Sequence, residues 1–250
     1  MPDHSASGHD PTTETSSPQA LFDEVCDLLQ RGDPRANNLL SRLQAYPQHA
    51  QGWLQLGRVL TRLEQSGAAM VAFDQALAAR QPPLAAALEK ADLMIASGQP
   101  ADAARWLAEI QQRGNDDVRL THRLGRAHYA AGNLEAAHAA LQAAVDQAPD
   151  FAEAWFHLGL VEQDLDRPAA AATAYGKALS ARPGMFEAAL NLGISLQDTG
   201  AMEPAMDAYA QAVRIEPGCF NRVAQALTSA STGRLWLDPN ALRRSLAART

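Results

Sequence analysis

The stretch RLGRAHYAAGNLEAAHAAL, Arg123 to Leu141, gathers two arginines, two histidines and a tyrosine around a Gly-Asn pair. Imidazoles can ligate a metal or move a proton, and guanidinium groups can hold a carboxylate through paired N–H donors. Each of these chemistries demands a spacing. His128 and His138 are ten residues apart on what read as different helices, and no HExxH or comparable ligand set accompanies them, so neither a metal nor a cofactor is expected. No G-x-S-x-G, no glycine-rich phosphate loop and no paired catalytic carboxylates occur. The sequence therefore offers no catalytic residue, and the expectation is a protein that is not an enzyme and has no small-molecule substrate.

The chain around this stretch is 250 residues long, 47% apolar, with a net charge of -7. An acidic chain is a poor match for nucleic acid, because backbone binding draws its affinity from clustered Lys and Arg. No run approaches the roughly 20 apolar residues that span a bilayer, and the start has neither a basic stretch nor an apolar core for secretion, which points to the cytoplasm and away from the membrane. Cys26 and Cys219 form no CxxC pair and read as isolated buried thiols. The bias toward Ala and Arg over Lys is a weak bacterial signature.

What positions the candidate residues is a period. Ala69, Ala103, Ala137, Ala171 and Ala205 recur every 34 residues, and four residues after each stands Phe73, Leu107, Leu141, Tyr175 or Tyr209. Gly57, Gly125, Gly159 and Gly193 keep the same step, with Ala91 in the remaining slot. Pro149, Pro183 and Pro217 close units in step, while Pro82 comes one residue late. Apolar residues within a unit recur at helical spacing, glycines at 98, 132 and 200 suit a left-handed helix end, and proline keeps the second helix from continuing. Each unit is thus two short helices whose small residues permit close approach, and a single such hairpin cannot bury its apolar face, so units must stack.

These residues resemble the tetratricopeptide repeat (TPR) family: W-x2-L-G in Trp53, Leu56, Gly57 and in Trp155, Leu158, Gly159, followed by Ala, an aromatic or Leu, Ala and Pro. The resemblance implies an all-α fold, a right-handed superhelical α-solenoid of stacked helix-turn-helix repeats. It divides the chain into a disordered tail over 1–18, a degenerate capping unit over 19–49, and five repeats at 50–83, 84–117, 118–151, 152–185 and 186–219. A C-terminal capping helix and a short terminal helix over 220–250 complete it. The second repeat departs from the pattern at Ala87 and Ala91, and Glu162 stands where a bulky residue is usual, so packing there is expected to be looser or locally polar.

In the family, the first helix of each repeat lines a concave groove. The corresponding positions here are Gln51, Leu54, Gln55, Arg58 and Arg62 in the first repeat, and Arg119, His122, Arg123, Arg126 and Tyr129 in the third. Later repeats contribute Glu153, Phe156, His157, Leu160, Asp164, Glu187, Leu190, Asn191, Ile194 and Asp198. We take Arg58, Arg62, Arg119, His122, Arg123, Arg126, Tyr129 and Phe156 as the candidate binding residues, basic toward one end of the groove and acidic with apolar anchors toward the other. The competing expectation is that Arg123 and Arg126 are solvated or paired with Glu89 and Asp92 on the adjacent repeat. Family members that serve heat-shock chaperones fix a terminal carboxylate with a Lys, Asn, Asn, Lys, Arg set. Arg119 and Arg123 match its last two positions in charge, but Leu54, Arg58 and Glu89 do not fit the rest, so that partner is not expected.

After the repeats, Leu235, Trp236 and Leu237 are expected either to cap the last repeat or to dock a partner, and Asp238-Pro239 suits the start of a final helix. Residues 220–250 are too few for a catalytic domain. The functional expectation is a scaffold or adaptor that binds a protein partner, as a peptide or helix and possibly an acidic one, in its groove for complex assembly. The alternative is an accessory or regulatory subunit of an enzyme carried on another chain.

Overall fold

The computed structural model of the chain describes residues 17–229 and 239–249. The expected disordered tail, except for its last two residues, and the segment Leu235, Trp236, Leu237 lie outside them. Among the described residues fourteen α-helices follow one another, with a 3-10 turn at Pro217–Cys219. The helices keep the period to the residue. First helices of the five repeats begin at 50, 84, 118, 152 and 186, and second helices at 66, 100, 134, 168 and 202.

The chain forms two compact units, which divide between Ser97 and Gly98. That point is the turn inside the second repeat, the one with Ala87 in the Trp slot and Ala91 in the Gly slot. Unit 1 contains α1 (Pro18–Gln30), α2 (Arg35–Leu43), α3 (Ala50–Arg62), α4 (Ser66–Ala78) and α5 (Leu84–Ala96). Ser17 caps α1, its Oγ accepting from the Ala20 amide, and Pro18 occupies the first turn where no N–H is needed. The core of unit 1 joins Phe22, Val25 and Leu43 from the degenerate α1–α2 pair to Trp53, Leu56, Val59 and Phe73. Gly52 allows the entry pair to pack, since a Cβ there would lie 2.5 Å from the Phe22 ring.

Unit 2 contains α6 (Pro100–Gln112), α7 (Val118–Ala130), α8 (Leu134–Gln147), α9 (Ala152–Asp164), α10 (Pro168–Ala181), α11 (Phe186–Asp198), α12 (Met202–Ile215), α13 (Phe220–Ser229) and α14 (Pro239–Ala247). Within this unit each helix from α7 to α12 packs on the one before it. At the C-terminal end α14 lays Leu242 and Leu246, both buried, into a core shared with Tyr209, Phe220, Val223 and Leu227.

The physical reason for the period is visible in one contact made repeatedly. A Cβ on Gly57 would meet the Phe73 ring at 2.5 Å, on Gly125 the Leu141 side chain at 2.6 Å, on Gly159 the Tyr175 ring at 2.6 Å, and on Gly193 the Tyr209 ring at 2.5 Å. In these four repeats the missing Cβ lets the bulky residue of the second helix reach the first helix's backbone. All five spaced alanines are fully buried, and Phe73, Leu107, Leu141, Tyr175 and Tyr209 are at most 1% exposed. Burying such a side chain contributes about 1.5–3 kcal/mol, provided its polar atoms are satisfied. The Tyr175 hydroxyl donates to Gln163 Oε1 at 3.1 Å and that of Tyr209 to Gln197 Oε1 at 2.8 Å, the same bond one period apart.

The turn between helices follows the same logic with two exceptions. Gly98, Gly132 and Gly200 have φ of 78°, 77° and 81°, but the equivalent slots in the first and fourth repeats hold Glu64 and Asp166 at 58° and 57°. A side chain in the left-handed region costs roughly 1 kcal/mol, so the stack imposes this turn where the local sequence does not favour it.

Candidate functional site

The candidate residues fall into the two units and have to be taken there separately. In unit 1, Arg58 is exposed on α3 and donates through Nε and Nη2 to Glu89 Oε1 of α5, at 2.8 and 2.6 Å. The pair joins the first repeat to the second within unit 1. Arg62 is exposed at the end of α3. Leu54, expected to face the groove, is buried in the core, as is Leu190 of unit 2.

In unit 2, α7 and α9 bring the remaining candidates together. Asp117 caps α7, accepting from the Arg119 amide at 2.9 Å and from Arg119 Nε and Nη2 at 2.9 and 2.8 Å. The Arg119 hydrogen bonds hold the Asp117 carboxyl below its ordinary range. Arg119 is therefore committed to its own helix start, and an Asp two positions before it was the signal in the sequence. Arg123 and Arg126 are half-buried and follow Arg119 at helical spacing, with exposed Ala130 next on the same stripe. The Tyr129 hydroxyl donates to Asp164 Oδ2 of α9 at 2.9 Å. Burial and the neighbouring Asp164 carboxylate push that phenol up to about 12.

At the centre stands a histidine pair. His122 is 1% exposed, and its Nε2 lies 3.0 Å from Nδ1 of His157 on α9. Arg123 Nη1 lies 3.1 Å from His122 Nδ1, and His157 Nδ1 is also 2.7 Å from the Glu153 carbonyl. Phe151 and Phe156 close the rings in, with centroids 4.8 Å from His122 and 5.5 Å from His157. Burial, helped by the partner imidazole and the charges of Arg123 and Arg126, lowers His122 to about 2. His157 falls to about 4, again through burial first. Both imidazoles are consequently neutral near pH 7. Phe156 also meets the Tyr175 ring, at 5.9 Å between centroids.

The two histidines of the opening stretch, His128 and His138, have structural surroundings. His138 bonds Glu162 Oε1 at 3.0 Å, and Arg167 reaches the other carboxylate oxygen at 3.4 Å. Glu162, 7% exposed, is thus a buried carboxylate with two basic partners, which accounts for its place in an otherwise apolar slot. His128 is half-buried with its Nδ1 enclosed and unbonded, and burial lowers its pKa. Among the described residues no group of three His, Cys, Asp or Glu side chains could hold a metal ion. No described helix is long and apolar enough to cross a membrane.

The described residues of this face put no nucleophile beside a base. They bring the guanidinium groups of Arg123 and Arg126 and the rings of His122, Tyr129, Phe156 and His157 together on α7 and α9.

Known proteins share the architecture that carries this face. Residues 37–147 match the family model described as the cytochrome c-type biogenesis protein H TPR domain, and residues 159–218 match the model described as tetratricopeptide repeat. No curated protein sequence matches. Among solved structures, MamA is 24% identical with a TM-score of 0.57, covering 65% of this chain and 95% of its own. A thermophilic TPR protein of Thermus thermophilus is also 24% identical with a TM-score of 0.57, covering 71% of this chain and 98% of its own. YrrB, described as a TPR protein with an unusual peptide-binding site, is 18% identical with a TM-score of 0.53, covering 71% of this chain and 92% of its own. At these identities the likeness is one of fold.

Proposed function

Because the chain belongs to the tetratricopeptide repeat family, we propose that it is a non-enzymatic scaffold or adaptor, holding a peptide or helix of another protein against the face shared by α7 and α9. The observation that carries this reading is the α7 stripe itself: half-buried Arg123 and Arg126 stand beside two neutral imidazoles, with Tyr129 and Phe156 at hand for apolar contact. Arginines in such a setting favour carboxylates, which makes an acidic segment the expected guest. The reading keeps the protein in the cytoplasm, where buried, unbridged thiols such as Cys26 and Cys219 are the ordinary state.

The test is affinity purification of the full chain from its native source beside the triple variant R119A/R123A/R126A. The wild type is expected to bring down its partner in a salt-sensitive manner, and the variant to keep its helical content while losing about 2–5 kcal/mol of binding. Equal recovery of the partner by both would remove the basic face from the account. A complex of fixed stoichiometry that survives high salt would replace the adaptor by an accessory subunit of an enzyme.

One observation favours a more specific second reading. The likeness of residues 37–147 to the TPR domain of a cytochrome c-type biogenesis protein would place the partner in c-type cytochrome assembly. Deleting the gene should then lower the level of c-type cytochromes, and an unchanged level would count against it.

A further inference from the structure

At the C-terminal end of unit 2 the period runs on for one helix and then fails. α13 begins at 220, one full step after α11. The slot held by Gly57, Gly125, Gly159 and Gly193 is filled there by Leu227, which is buried. A leucine at this slot denies the close approach that pairs the two helices of a repeat. α14 accordingly starts at 239, where the step from α12 calls for 236, and it packs on α12 as well as on α13.

The consequence falls on α12. Val213 continues the slot of Val145 and Leu179, each of which is buried in a core shared with the first helix of the following repeat. Val213 itself is only half-buried. Beside it a cavity of about 500 Å³ lies between α12, α13 and α14. Ala210, Val213, Phe220 and Leu246 give it apolar walls, and the exposed Arg214 and Arg243 stand at its edge. The Arg243 guanidinium is fixed over the Phe220 ring, 4.4 Å from the centroid. Arg249, also from the C-terminal end of α14, pairs with Glu203 and Asp207 of α12, whereas no described carboxylate pairs with Arg214 or Arg243.

The volume falls within the range of roughly 300–1,000 Å³ in which small molecules are bound. Apolar walls favour an apolar stem, and guanidinium forks at the edge favour a carboxylate at the stem's outer end. We propose that this cavity binds a free aliphatic carboxylate, its stem against Val213, Phe220 and Leu246 and its head between Arg214 and Arg243. No nucleophile or general base stands among the described residues that line the cavity, so the acid is a ligand and not a substrate. In bridging α12 and α14 it holds the last helix on the last repeat. The inference goes beyond the α7–α9 face and stands whether or not that face takes a protein.

The experiment titrates the full chain, its valine and leucine methyl groups labelled for NMR, with sodium octanoate, with octanamide, and with acetyl-alanyl-alanyl-leucine bearing a free carboxylate. Circular dichroism checks that each variant is folded. Octanoate is expected to shift the Val213 and Leu246 methyl resonances saturably, and octanamide, which keeps the stem and loses the charge, to bind about tenfold more weakly. R214A/R243A should lower octanoate affinity about tenfold and octanamide affinity less than about twofold, which separates loss of the charge partners from loss of the cavity. If the double variant does not fold, Arg214→Gln alone decides, with a loss of about threefold expected for octanoate. The proposal is overturned by the absence of a saturable shift, by octanamide binding as tightly as octanoate, or by folded arginine variants that bind octanoate like the wild type. Tighter binding of the leucine peptide than of octanoate would give the cavity to the end of a protein chain and overturn the free acid as its occupant.

Discussion

Unit 1 and unit 2 use one backbone template to make opposite kinds of surface. At Leu54, Arg58 and Glu89 the template yields a buried aliphatic residue under a surface ion pair. At His122, Arg126 and His157 it yields an imidazole pair, one ring buried and one half-buried, beside an arginine. The scaffold below both is the same glycine-against-bulky-residue contact, Gly57 on Phe73 in one and Gly125 on Leu141 in the other. The difference teaches that in a repeat fold the slots fixed by packing and the slots available for recognition separate cleanly. Changes at recognition slots leave the helix starts on their 34-residue step.

The sharpest way to break the comparison is to destroy the scaffold under one face only. Ala137 is fully buried between helices, so Ala137→Trp should cost more than about 3 kcal/mol by overpacking and abolish partner binding along with the fold of unit 2. Urea unfolding followed by circular dichroism measures it.

Acid should separate the units next. His122 and His157 sit below the ordinary histidine value in the folded chain, so below about pH 6.5 the unfolded state takes up protons that the folded state refuses. Stability is full above that pH and falls as pH drops toward about 4, by roughly 1 kcal/mol per pH unit for each histidine. In the double variant H122L/H157L the slope over this range should shrink. An unchanged slope would mean the pair is not held neutral by its burial.

Importing the unit 1 residue is a gentler test. His122→Leu places in unit 2 what Leu54, Leu88 and Leu190 supply at the same slot, and should change stability by no more than about 1 kcal/mol, because a leucine shape is already accommodated there in three repeats. A loss of several kcal/mol would show that the imidazole pair is structural. The smallest effect is expected from Glu89→Gln, which opens the Arg58 pair. Arg58 is exposed and Glu89 only half-buried, so less than about 1 kcal/mol should be lost, and less still at high salt.

Much of the fold was legible because repetition multiplies weak signals. One buried alanine predicts nothing, whereas five at a step of 34, each followed by a bulky residue, fix the hairpin, its turn and its packing partner. Glu64 and Asp166 were not legible as left-handed residues, since their identities argue against that conformation and only the stack enforces it. Periodicity assigns a residue to a face but does not name what it touches. Thus Arg119 was placed on the α7 stripe while its bond to Asp117 went unread, and Leu54 and Leu190 were assigned to a surface from which their neighbours exclude them. The histidine pair did leave a signal: aligned by the period, position 122 is the one polar member of a set containing Leu54, Leu88, Phe156 and Leu190. The division at Ser97 and Gly98 was foreshadowed only by Ala87 and Ala91, which mark the repeat poorest in consensus residues.

Photo-crosslinking with the native partner tests the central claim, that the α7–α9 face grips a protein, most directly. A benzophenone side chain is placed at exposed position 130, on the arginine stripe of α7, and in a second protein at exposed position 143 on α8. The account predicts strong capture of the partner from position 130, suppressed by R123A/R126A, and little from position 143. Equal or stronger capture from position 143 would contradict it.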